Sequence, residues 1–123
     1  MALLNGIVQV ALASADPPRL VAWYRDVLGI PVAFSGDGMT FFQTGGVRFM
    51  IGPTQPGQTV GGDTILYFEP ENWNETNETF QKRGVAFVGP PTPVQQKDGH
   101  VLMVRAFVDP EGHRLALLGW YKA

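Results

Sequence analysis

The sequence contains no cysteine, only two histidines, and no run of like charge. Without cysteine there is no disulfide framework, no thiolate to hold a metal and no thiol nucleophile; His100 and His113 are the only imidazoles. The nine Lys and Arg are scattered, and a formal charge of −2 with a pI near 5.5 leaves no basic surface to neutralise phosphates. Nucleic acid is therefore not an expected partner. Also absent are a Gly-x-Ser-x-Gly elbow, a Gly-x-x-x-x-Gly-Lys phosphate loop and a His-Glu-x-x-His pair, so hydrolase, nucleotide and zinc-protease readings have no support.

What is present is a composition of 45% hydrophobic and 16% charged residues with mean hydropathy near zero, which marks a globular chain, neither disordered nor membrane-spanning. At 123 residues it has room for one domain with a real core. The apolar start ending in Ala13-Ser14-Ala15 has the outline of a secretion signal, but no Lys or Arg precedes it, and Asn5 and Gln9 interrupt it. From Ile7 onward it reads better as a strand, and the expected location is cytoplasmic.

Asp16 followed by Pro17 is a helix start, since the Asp side chain can accept a backbone N–H and proline tolerates the first turn. Leu20, Trp23, Tyr24, Val27 and Leu28 recur at helical spacing and Gly29 ends the run, predicting a helix from Pro17 to Leu28. Strands are predicted at Pro31–Phe34, Met39–Gln43 and Val47–Ile51, separated by Gly36-Asp37-Gly38 and Gly45-Gly46. After a Pro/Gly-rich connection at 52–62 the order repeats: a strand at Ile65–Glu69, a helix capped by Asn72 with Glu75 three residues on, and strands at Val85–Val88, Val101–Val108 and Arg114–Trp120. Residues 89–99 read as a Pro-rich loop, and Asp109-Pro110-Glu111-Gly112 as a type I turn that includes His113 in its chemistry. Gln9 stands seven residues before the first cap and Ile65 seven before the second, so the register itself indicates an internal repeat.

The expected fold is α+β: one domain, residues 1–123, with unit one at 5–51, a linker at 52–62 and unit two at 63–121. Two βαβββ units would pair into one curved mixed sheet, helices on its convex face and a concave ligand cleft opposite. Strand alternation puts Gln9, Ala11, Ala13, Arg48, Met50, Ile65, Tyr67, Glu69, Arg114, Ala116, Leu118 and Trp120 on the concave face and sends Leu115 and Leu117 toward the helices. An apolar wall with a few polar groups suits a small molecule. Gln9, Arg48, Met50, Ile65, Tyr67, Glu69, Ala116 and Trp120 are the candidate ligand-binding residues. Arg48 and Glu69 stand out, because a charge on an apolar face is costly unless it is paired or meets a ligand. Trp120 could stack on a flat ligand or on a second copy, and His100 could approach the cleft mouth if the 89–99 loop is a lid. The Asn-Glu-Thr triplets at 74–76 and 77–79 match a glycosylation pattern but fall within the second helix.

Two segments, VQVALASADPPRLVAWYRDVLGIPV and FVDPEGHRLALLGW, resemble the vicinal-oxygen-chelate superfamily, which includes glyoxalase I, extradiol dioxygenases, methylmalonyl-CoA epimerase and the fosfomycin and bleomycin resistance proteins. In metal-using relatives, the resemblance implies ligands early in the first strand and in the last strand of each unit. Here those positions hold Gln9, Met50, Ile65 and Ala116, of which only Gln9 could bind a metal. No metal site and no cofactor are expected. The resemblance implies a homodimer and a metal-independent protein that sequesters an aromatic or amphipathic small molecule. The alternative is an enzyme of the same superfamily, a lyase, epimerase or dioxygenase. It would be either metal-dependent through unusual ligands such as Gln9, Glu69 and His100, or metal-free with Glu69 or Tyr67 moving protons.

Overall fold

Pro17 begins a helix because Asp16 turns its carboxylate onto the chain just ahead: Oδ1 accepts from the Arg19 backbone N–H at 3.4 Å. The computed structural model describes residues 2–122, so the first and last residues of the expected domain lie outside it. The first unit, residues 1–60, runs β1 (Gln9–Ser14), α1 (Pro17–Asp26), β2 (Val32–Gly36), β3 (Met39–Phe42) and β4 (Arg48–Pro53). α1 is two residues shorter than its apolar periodicity predicts, because the chain leaves the helix through Val27 toward Gly29, whose φ of 76° only glycine adopts freely. β1 pairs parallel with β4, and β4, β3 and β2 pair antiparallel, in the order β1-β4-β3-β2.

One face of this sheet packs on α1. Leu20 and Tyr24 are buried against Phe42, Phe49 and Ile51, with the Tyr24 ring 5.4 Å from Phe49 and 6.1 Å from Phe42. Burying side chains of this size contributes about 1.5–3 kcal/mol each. The opposite face of the same sheet is therefore the one left for other uses.

The second unit, residues 61–123, repeats the order with one strand more: β5 (Ile65–Phe68), α2 (Trp73–Lys82), β6 (Ala86–Phe87), β7 (Thr92–Lys97), β8 (His100–Val108) and β9 (Arg114–Lys122). Asn72 caps α2 as expected, its Oδ1 accepting from Glu75 N–H at 2.9 Å. The expected 89–99 loop is instead mostly β7, joined to β8 through Asp98 and Gly99 at φ 51° and 76°, the backbone of a tight hairpin. Proline is tolerated there because β7 is an edge strand with an irregularity between Pro93 and Gln95. β8 holds β9 on one side; β7 and β6 share the other, and β5 runs parallel to β9.

Leu115, Leu117 and Phe107 are buried with Trp73 and Phe80, so Leu115 and Leu117 do face the helix. Gly119 lets α2's approach close tightly, since a Cβ there would lie 3.0 Å from the Pro70 ring. Arg105 ties sheet to helix: its guanidinium stacks 3.7 Å from the Phe87 centroid and donates to Asn77 Oδ1 at 3.2 Å, while Asn77 Nδ2 donates to Trp73 O. The architecture is α+β, two βαβββ-type units whose ladders form two mixed sheets rather than one continuous hydrogen-bonded sheet. Among the described residues no helix is long and apolar enough to cross a membrane.

Candidate functional site

In the first unit, pairing places Gln9 beside Arg48, Ala11 beside Met50 and Ala13 beside Gly52; Phe41 lies across from Met50, and Phe34 across from Phe41. Because alternate residues share a face, these side chains stand together on the side away from α1. The Phe34 and Phe41 rings stack at 4.5 Å with an interplanar angle of 18°, and the Arg48 guanidinium lies 4.4 Å from the Phe41 centroid and 5.9 Å from that of Phe34. No ion pair or side-chain hydrogen bond occupies that guanidinium among the described residues.

Next to Met50 the face opens into a cavity of about 320 Å³, walled by Ala11, Ala13, Met39, Met50 and Gly52 and rimmed by Asp37, Gln55 and Gln58. Gly52 keeps it open, since a Cβ there would meet Met39 Cγ at 3.3 Å and Met50 Cε at 3.6 Å. On the rim, Gln58 Oε1 accepts from Gln55 N–H at 2.8 Å and Gln55 Nε2 donates to Pro53 O at 3.3 Å, which folds the start of the connection over the end of β4. The cavity is mostly apolar, with two amides and the Asp37 carboxylate on its rim, and Arg48 stands outside its lining, two residues along β4 from Met50.

In the second unit, Ile65 and Tyr67 are exposed on β5, and Ala116 is buried between the positions of Tyr67 and Ala106 in the ladder. Trp120 is exposed further along β9, opposite Leu102. Glu69 lies one residue beyond β5 and is exposed, and neither it nor Tyr67 has an ion pair or side-chain hydrogen bond among the described residues. Of the candidate residues, the structure thus groups Gln9, Arg48 and Met50 on one sheet and Ile65, Tyr67, Ala116 and Trp120 on the other. His100 sits at the start of β8, exposed, its Nδ1 3.0 Å from Asp98 O. It belongs to a hairpin turn rather than to a lid. His113 is buried, its Nδ1 2.7 Å from Asp109 Oδ2, so its place in the turn is held by a side-chain pair as well as by the backbone.

The sequence model of the Glyoxalase/Bleomycin resistance protein/Dioxygenase superfamily matches residues 6–117. The chain belongs to this superfamily. Solved structures with the same fold include an integron cassette protein from the mobile metagenome of V. cholerae, with TM-score 0.78 and 19% identity over 97% of this chain and 98% of that one. A member of the superfamily from Sphaerobacter thermophilus follows at TM-score 0.74 and 18% identity, covering 96% and 99% of the two chains. A lactoylglutathione lyase from Agrobacterium tumefaciens aligns at TM-score 0.72 and 18% identity over 94% of each. No curated protein matches the sequence.

Membership of a superfamily with metal-using branches makes the donor set a fair test. Gln9 and Met50 in unit one, Ile65 and Ala116 in unit two, offer one neutral amide and one thioether, which do not fit a hard or borderline divalent ion. Among the described residues no three His, Asp or Glu side chains cluster to hold a metal ion elsewhere.

Sequence reasoning missed Phe34, Met39, Phe41, Gly52, Gln55 and Gln58. The alternation applied to β1 and β4 would have found Met39 and Phe41 had it been carried into β3, but Phe41-Phe42 is apolar on both faces and hides its own period. Nothing in Gln55 or Gln58 distinguishes them from other residues of a Pro/Gly-rich connection.

Proposed function

We propose that this protein is a metal-independent binder of a small organic molecule, held on the open face of its first unit. The observation that carries the reading is the cavity of about 320 Å³ beside Met50, at the lower end of the range of small-ligand pockets. Its walls support an apolar body: two flexible thioethers adapt their shape to an aromatic or alkyl group, and the alanines and Gly52 supply depth.

The enzyme reading has less support. Proton transfer needs a positioned acid or base, and Tyr67 and Glu69 are exposed with no partner to fix them. We read the protein as cytoplasmic and as a homodimer, the exposed Trp120 and Tyr121 on β9 favouring a second copy; sedimentation at micromolar concentration separates dimer from monomer. With a net charge of −2, neither nucleic acid nor a membrane surface is a natural partner.

A thermal-shift screen with planar aromatic and short-chain amphipathic compounds tests the reading. A ligand present at about 100 times its dissociation constant stabilises by roughly 2.7 kcal/mol, a rise of several degrees in Tm. A panel that leaves Tm unmoved, or a stabilisation that appears only on adding Ni, Zn, Mn, Fe or Co, would sink it.

A further inference from the structure

Among the described residues Arg48 is the one cation on the open face of the first sheet, and it is mounted on aromatic rings rather than paired with a carboxylate. Its guanidinium lies over the buried Phe41 ring at 4.4 Å and 5.9 Å from the centroid of Phe34, which stacks on Phe41 at 4.5 Å, and no carboxylate of the described residues lies within 4.0 Å of it. A contact with the ring faces offsets the charge without consuming N–H donors, which can still form a fork onto two oxygens. Gln9, paired with Arg48 across β1 and β4, sets a side-chain amide beside it. Met50 is two residues along the same strand and face, so the cation and the cavity are neighbours about 7 Å apart along the sheet.

We infer that the ligand is an amphipathic carboxylate, its apolar body in the cavity between Met39 and Met50 and its two oxygens on the Arg48 guanidinium. The inference rests on the binding reading above and adds the charge and polarity of the occupant. A neutral ligand of the same shape would fill the cavity and leave the mounted cation unused. An amine would meet it with like charge. The rim bears on the orientation: Asp37 lines the cavity together with Gln55 and Gln58, and its negative charge disfavours a ligand carboxylate there, leaving that end to the body and the Arg48 end to the oxygens.

Matched probes decide it: 3-phenylpropanoate and its neutral primary amide, titrated by NMR chemical-shift change into the full chain at pH 7 and low salt. The acid is expected to bind about tenfold more tightly than the amide, because a charge-assisted bidentate pair outweighs a neutral hydrogen bond. That preference should shrink as salt rises and disappear in Arg48→Gln, where the acid loses at least about tenfold more affinity than the amide. In Arg48→Lys part of the preference should survive, since the charge remains and the fork is lost. Circular dichroism and Tm establish that both variants fold, as expected for an exposed side chain. Equal binding of acid and amide by the wild-type chain overturns the inference and leaves a neutral-ligand binder. A preference for the acid that persists in Arg48→Gln also overturns it. If neither probe nor any member of the neutral panel binds, the binding reading falls as well.

Discussion

Asp109 Oδ2 and His113 Nδ1 lie 2.7 Å apart with both side chains buried, at opposite ends of the turn that joins β8 to β9. The other oxygen, Oδ1, accepts the backbone N–H groups of Glu111 at 2.9 Å and His113 at 3.0 Å, while Gly112 N–H donates to Asp109 O at 3.1 Å. One carboxylate therefore closes the whole turn. Removing it in Asp109→Ala takes away the carboxylate that both backbone N–H groups and the buried imidazole contact, and should cost about 3–5 kcal/mol. Asp109→Asn keeps an oxygen for the two backbone N–H groups and should cost about 1–2 kcal/mol. Urea unfolding monitored by tryptophan fluorescence gives both numbers; equal losses in the two variants would mean that the His113 contact alone carries the effect.

Asn77 is the next such position, because it is the polar hinge between α2 and Arg105 on β8. Asn77→Ala should destabilise by about 1–3 kcal/mol, and Arg105→Ala should add little on top of it, since the two share one network. A double-mutant cycle in urea measures that coupling; full additivity would show the 3.2 Å contact to be incidental. The same burial has a second outcome. Of the two Asn-Glu-Thr triplets, the one at 77–79 has its amide committed inside the unit, so glycan attachment to the folded chain in a secretory host should be undetectable at Asn77 by mass spectrometry.

Gly99→Val tests β7, the strand that occupies most of the segment where the sequence predicts a loop. At φ 76° a β-branched residue is strained by about 1–2 kcal/mol, and the strain falls on a hairpin whose outer strand is exposed throughout. Amide hydrogen exchange should therefore accelerate in 92–97 and change far less in β9. Uniform acceleration across the sheet would contradict an independently opening hairpin.

Gly52→Val should fill the cavity. The added side chain must displace Met39 and Met50, and Val suits a strand, so stability should change by no more than about 1–2 kcal/mol while binding of any ligand found in the screen falls at least about tenfold. Retained affinity in a folded Gly52→Val chain would place the ligand elsewhere.

Most of the fold is legible in the sequence because its signals are local and redundant. Asp16 with Pro17, and Asn72 with Glu75, mark helix starts by side chains that do in fact accept the expected N–H groups. Leu115 and Leu117 are buried as the alternation predicts, but Ala116 between them is buried as well, so burial along β9 does not itself alternate. β7 was hidden for the opposite reason: Thr92–Lys97 is exposed on both faces, so no alternation is required of it, and Pro93 argues against a strand unless an edge is assumed. The Asp98-Gly99 pair was the available signal, the same kind of turn that Asp37-Gly38 makes between β2 and β3. The candidate site was half legible. Arg48 could be assigned to the open face from β4 alone, but its mounting depends on Phe34 and Phe41, which reach it through two further strands whose register the sequence does not state.

The pair of methionines walling the cavity has one more consequence. In a chain without cysteine, thioethers are the only readily oxidised sulfur, and Met39 and Met50 meet across Gly52 in a partly open pocket. Peroxide would convert them to sulfoxides, replacing a soft, apolar wall with two strong hydrogen-bond acceptors. Ligand capacity would then fall with oxidant dose and return on treatment with a methionine sulfoxide reductase, making occupancy of the pocket a readout of oxidative history.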